Sequence, residues 1–314
     1  MSVDAAVQGI IDALDAQGLK SFEQMSIEEA RGVVDSFVGL QKPHREVAKV
    51  IDTAYQGPAG PQDVRIYIPE AETEGPLPVV VYFHGGGFIG GGLSVAEEPN
   101  RAVANDAGVI VVAASYRLAP EHKFPAATDD TFAALKWAAE NIAQYGGDPS
   151  RMAVMGDSAG GSLAAVAAQR ARDEGGPKLR GQVLVYPVID STAELPSKSE
   201  FKEGYIITSA GLDWFWEQYL SSPADAENPL ASPSKAVSLA GLPPALVVSM
   251  EYEAARDEAE AYAKQLADAG VETVATRFDG LVHGTYWMSG AVPRSAEIHD
   301  AVVNFLRERL AVEQ

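Results

Sequence analysis

The sequence predicts an α/β protein with a mostly parallel central sheet, helices on both of its faces and a smaller helical cap. Three observations lead there. From about residue 62 onward, strand-like runs alternate with helix-length segments, the pattern of strand–helix–strand units. Several runs are apolar throughout, as strands buried on both faces are. Glycine-rich or chemistry-bearing segments follow these runs, at the sheet edge where open parallel sheets bind ligands. No internal repeat or low-complexity tract breaks the pattern.

In chain order, the first 48 residues carry helical patterns. Val7, Ile10, Ile11 and Leu14 recur at helical spacing, and Ser26-Ile27-Glu28-Glu29 reads as a capping box. Strands are expected at Gln62–Ile68, Val79–Phe83 and Val109–Ala114, with turn-rich connectors at Pro58–Pro61 and Glu70–Pro76. A helix over Ala127–Tyr145 precedes a short strand, Met152–Met155, and a second helix opening near Gly161. Further strands are expected at Gly181–Tyr186, Ala245–Met250 and Val271–Phe278, and further helices over Asp257–Ala269 and Ser295–Leu310. Residues 196–234 interrupt the alternation with an aromatic-rich helical stretch. Together with residues 1–48 it is expected to form the cap, leaving 49–195 and 235–314 as the catalytic domain.

Gly156-Asp157-Ser158-Ala159-Gly160 lies between a predicted strand and a predicted helix. A serine there sits on a sharp turn whose flanking glycines remove clashing side chains. The helix N-terminus also favours an anionic intermediate. On its own the pentapeptide is equally a capped helix start. His84-Gly85-Gly86-Gly87, directly after the apolar run Pro78–Phe83, adds a loop whose backbone can aim N–H groups at one point, as an oxyanion hole requires. Of the five histidines, only His283 and His299 follow Ser158 in the order nucleophile, acid, base. His299 falls in a helical pattern and reads as a surface residue. His283 falls in a glycine-flanked loop after a strand and is the candidate base.

The motifs HGGGF, SYRLAPEHKFPAATDD, GDSAGGSLAA, YPV, EYEAARDEAEAYA and DGLVHGTY occur in series. In this the chain resembles the bacterial hormone-sensitive-lipase-like esterases, α/β-hydrolases with a GDSAG elbow, from about Val64 to the C-terminus. The resemblance implies carboxylester hydrolysis through an acyl-enzyme, with oxyanion donors from Gly86, Gly87 and Ala159. It places the catalytic acid in an E-Y-D-P-L-R-D-E stretch, and this chain departs from it with Glu251-Tyr252-Glu253-Ala254-Ala255-Arg256-Asp257-Glu258. Glu253 takes the aspartate's place and can accept the imidazole N–H; Asp257 is the rival, at a helix start where an acid has a routine role. Glu251 is expected to point away. The resemblance also implies that Phe201, Tyr205 and Ile207 face the acyl pocket; Trp214, at helical spacing with its neighbours, is taken with them. Asp157 is expected to bond nearby backbone or the Tyr116–Arg117 segment, Glu121 and His122 to scaffold their loop, and His84 to brace the glycine loop.

The remaining expectations come from composition. At 314 residues and 46% hydrophobic, the chain supports one large core with a small appendage. It has no cysteine, which excludes disulfides and thiolate metal sites. A formal charge of −20 argues against nucleic acid and anionic membrane surfaces as partners. Met1–Val7 lack the basic start and apolar core of a secretory signal, so the expected location is cytoplasmic. The expected substrate is a short- to medium-chain ester, with no cofactor or metal. A homodimer through the edge strand near Val271–Phe278 is expected with it. An amidase or carbamate hydrolase on the same scaffold is the alternative, as is an inactive ligand-binding module, against which an intact Ser158 and His283 argue.

Overall fold

The computed structural model describes residues 2–70 and 75–311. Most of the predicted Glu70–Pro76 connector lies outside the described residues. The chain begins with α1 (Ala5–Ala16) and α2 (Ile27–Ser36), separated by a short 3₁₀ turn, Phe22–Gln24. Asp4 caps α1, and Ser26 and Glu29 form the reciprocal capping box on α2. The strands β1 (Lys49–Gly57), β2 (Gly60–Ile68) and β3 (Leu77–Phe83) follow, then α3 (Glu97–Ala107), β4 (Ile110–Ala114) and α4 (Ala126–Asn141). Next come β5 (Gly147–Asp157), α5 (Ala159–Asp173), β6 (Leu179–Val185), α6 (Pro196–Glu200) and α7 (Ser209–Tyr219). The chain closes with β7 (Ala245–Tyr252), α8 (Arg256–Asp268), β8 (Thr273–Val282) and α9 (Ser295–Leu310).

These strands form one eight-stranded sheet in the order β1-β2-β4-β3-β5-β6-β7-β8. Pairing is parallel from β4 to β8 and antiparallel at β1–β2 and β2–β4. The alternation of side chains along a strand divides the core between the two faces. Val79, Val81 and Phe83 of β3 join the cluster under α4, α5 and α8, while Val80 and Tyr82 join the one under α3 and α9. Burial on both faces is why these strands read as unbroken apolar runs.

Several elements differ from expectation. Strand β1 and helix α3 are additional. The predicted long helix is α4 followed by a 3₁₀ turn at Ile142–Tyr145. Strand β5 starts five residues before its predicted first residue, Met152, at Gly147, and β8 runs on to Val282, delivering the chain directly to His283. The N-terminal helices and α7 meet over the carboxyl ends of the strands, where the Phe22 and Phe215 rings pack with centroids 4.9 Å apart.

Candidate active site

Four strand ends converge here: β3 leads into His84–Gly87, β5 into Ser158, β7 into Glu253 and β8 into His283. The β5-to-α5 turn is strained, with Ser158 at φ 54°, ψ −123°. The surrounding glycines are steric requirements. A side chain at Gly156 would overlap the Gly160 carbonyl, and one at Gly160 would overlap the carbonyl oxygen of Phe83. The turn therefore closes tightly and presses on the loop after β3.

Ser158 Oγ lies 2.8 Å from His283 Nε2, and His283 Nδ1 lies 2.7 Å from Glu253 Oε2. Glu253 Oε1 accepts the Met250 N–H at 2.8 Å. Both carboxylate oxygens are thus fixed, and the extra methylene is absorbed without loss of contact. The three side chains are buried, with exposures of 8%, 7% and 2% for Ser158, His283 and Glu253. Tyr186 packs on the imidazole with ring centroids 4.5 Å apart. Asp257 does not reach the histidine: it accepts the Ser197 N–H and pairs with Arg256. Glu251 turns to the Gly280 N–H.

The glycine loop passes beside Ser158. Gly86 and Gly87 hold φ of 113° and 61°, values that favour glycine, and both line the crevice with Ser158. The Gly86 carbonyl accepts from Ile89 and Gly90, turning the loop back on itself. Ala159, the first residue of α5, has an N–H with no intrahelical acceptor. His84 braces the loop through Nδ1, 2.7 Å from the Gly85 carbonyl oxygen, and stacks on Tyr116; burial pushes its imidazole pKa down to about 4, so it is neutral. Asp157 bonds the Gly85 backbone, one of the two expected choices. Its other partner is Tyr82 rather than the 116–117 segment. Tyr116 instead bonds the His84 carbonyl, and Arg117 pairs with Asp130.

Two chambers of about 450 and 390 Å³, open mouths included, meet at Ser158, His283 and Gly87. Phe22, Val34, Phe37, Tyr186, Ile206 and Trp287 line the first; Phe88, Val188, Leu212, Trp216 and Ala254 line the second. Ile207 lines both. Phe201, Tyr205 and Trp214 line neither. The rings of Phe201 and Tyr205 gather with Tyr252, and Trp214 packs against Phe215. Among the lining residues that the sequence reading did not place in the pocket, Phe215 borders both chambers; its ring fills the space that a Gly87 side chain would take. That three-glycine loop was the one sequence sign that something large comes close. Glu121 pairs with Arg31 of α2, which also bonds the Ile89 carbonyl. His299 is half-buried and bonded to Asp106, not a free surface residue.

Residues 80–287 match the model of a family with the α/β-hydrolase fold. The chain is 44% identical over 260 residues to the esterase LipI of Mycobacterium tuberculosis, covering 82% of this chain and 81% of that one. It is 34% identical over 284 residues to an arylesterase of Saccharolobus solfataricus, covering 90% and 92%. Among solved structures, an ester-hydrolase from the metagenome of Lake Arreo superposes with a TM-score of 0.93 at 34% identity, covering 98% of each chain. The chain therefore belongs to the hormone-sensitive-lipase-like carboxylesterases of the α/β-hydrolase fold.

Proposed function

We propose that this carboxylesterase hydrolyses short- to medium-chain acyl esters, with Ser158 as nucleophile, His283 as general base and Glu253 as the acid that orients it. The observation that carries the reading is the unbroken chain from Ser158 Oγ through both nitrogens of His283 to Glu253, at 2.8 and 2.7 Å. His283 Nε2 takes the hydroxyl proton as Ser158 attacks the ester carbonyl. The backbone N–H groups of Gly86, Gly87 and Ala159 receive the oxyanion. Glu253 stabilises the imidazolium, which then protonates the leaving alcohol. Water, activated by the same nitrogen, releases the acid.

The N-terminal helices and residues 196–234 act as a cap. Phe22, Val34 and Phe37 from one, with Ile206, Ile207 and Phe215 from the other, bound the chambers and limit acyl length. Among the described residues no helix is long and apolar enough to cross a membrane. Hydrolysis of p-nitrophenyl acetate, butyrate, hexanoate and palmitate tests the substrate class. Rates should peak among the shorter esters; a preference for emulsified long-chain ester contradicts the reading.

A homodimer through β8 is part of the same proposal. Among the described residues that strand pairs only with β7 and ends the sheet, with Val274 exposed on it. Light scattering should give twice the chain mass; the monomer mass at micromolar concentration rejects it.

A further inference from the structure

Asp157 is a buried carboxylate beside the nucleophile for which the acyl-transfer steps have no use. It is 2% exposed. Its Oδ1 accepts a hydrogen bond from the Tyr82 hydroxyl and a second, at 3.2 Å, from the Gly85 N–H. Its Oδ2 occupies the space that a side chain on Gly85 would fill, 2.5 Å from where that Cβ would stand. The carboxylate of the serine turn is thus seated in a notch of the glycine loop, gripping the amide directly before Gly86 and Gly87. On the other side of Ser158, Gly160 presses on the Phe83 and His84 carbonyls by shape alone. The turn and the loop are locked at two points, and one of the locks is charged.

We propose that Asp157 is a positioning residue: its ionised carboxylate holds the 85–87 loop at the distance from Ser158 that oxyanion binding requires, and protonation loosens that hold. The inference rests on the proposed reading in which Ser158 is the nucleophile and Gly86 and Gly87 receive the oxyanion. Ionised, Asp157 offers acceptor capacity to both donors; protonated, it loses the charge that strengthens those bonds. The groups that face it are Tyr82 from β3, Tyr116 after β4, Tyr186 after β6, His283 after β8, and Tyr286 in the turn that follows. The tyrosines are held neutral by burial, so the charge next to Asp157 changes mainly when His283 becomes imidazolium. Burial pushes the Asp157 carboxyl up to about 7, against the Tyr82 and Gly85 hydrogen bonds that favour its charged form. The lock therefore opens near neutral pH, and activity on the acid side answers to two groups instead of one.

The test is the pH profile of kcat in three enzymes. In wild type, log kcat should fall on the acid side with a slope steeper than one over the range in which Asp157 protonates. Asp157→Asn keeps the shape but not the charge. It should lose about 10- to 100-fold in kcat, less than the full loss of an oxyanion donor, change KM less than kcat, and show a slope of one. Tyr82→Phe removes a donor to the carboxylate and should move the acid midpoint upward. An Asp157→Asn enzyme with kcat within twofold of wild type and an unchanged acid limb overturns the proposal. Should that variant not fold, Tyr82→Phe decides: an upward midpoint supports the lock, and an unmoved midpoint overturns it. Phosphonate labelling of the wild type separates this from failure of the parent reading, since a label away from Ser158 removes that reading whatever the pH profiles show.

Discussion

Replacing Glu253 with alanine takes the acceptor from two buried donors at once, the Met250 N–H at 2.8 Å and His283 Nδ1 at 2.7 Å. With Glu253 only 2% exposed, bulk water is a poor substitute. Each orphaned donor costs about 1–3 kcal/mol of stability. The catalytic loss is larger, because the imidazolium formed in the transition state faces no countercharge. By comparison with other serine-enzyme acids, kcat should fall by about 10³–10⁴-fold, or ~4–5.5 kcal/mol, with KM little changed. Glu253→Asp keeps the charge but falls about 1.5 Å short. Both anchoring bonds cannot then be kept, and a loss of about 10- to 100-fold is expected. Glu253→Gln forces its amide nitrogen against one of the two donors and should resemble alanine more than aspartate. Asp257→Ala, which costs contacts with Ser197 and Arg256, should leave kcat within about threefold, as expected for a partly exposed pair. Steady-state hydrolysis of p-nitrophenyl butyrate, with circular dichroism to verify folding, reads all four. An inactive Asp257→Ala beside an active Glu253→Ala would make Asp257, not Glu253, the acid of the triad.

Phe215→Leu trims the ring between the two chambers while keeping an apolar side chain, and should raise the hexanoate-to-acetate ratio of kcat/KM by about tenfold; an unchanged ratio removes Phe215 from the specificity of the site. Burial pushes the Glu258 carboxyl up to about 8 and Asp157 up to about 7, so the folded state binds protons that the unfolded chain has released above about pH 4. The stability from both is full at low pH and is lost as pH rises through those values. Glu258→Gln should therefore flatten the fall of Tm between about pH 5 and 9, and an identical slope in the variant contradicts this.

What was legible in the sequence was local and sterically forced. The serine turn, the glycine loop and the continuous apolar strands each carry their cause in adjacent residues: the positive φ at Ser158, the close approaches at Gly156 and Gly160, burial of β3 on both faces. Strand β1 was not legible because it is half-exposed and carries polar residues through Lys49-Val50-Ile51-Asp52-Thr53. Helix α3 hid because Glu98, Asn100 and Arg101 are buried on it, which blurs its apolar stripe. The chamber walls were least legible. Phe22, Val34 and Phe37 stand more than a hundred residues from Ser158, and only tertiary packing brings them there. The family resemblance places Phe201 and Tyr205 in the pocket, yet Tyr252 and the Arg256 guanidinium draw them into a cluster outside it.

Covalent labelling reads the identity of the nucleophile, Ser158, without relying on kinetics. The protein is treated with a p-nitrophenyl alkylphosphonate, release of nitrophenol is followed against loss of esterase activity, and the adduct is located by mass spectrometry of peptides. One phosphonyl group per chain is expected, carried by Ser158, with complete loss of activity at that stoichiometry and no label in Ser158→Ala. A label on another residue, or activity that persists in fully labelled enzyme, contradicts it.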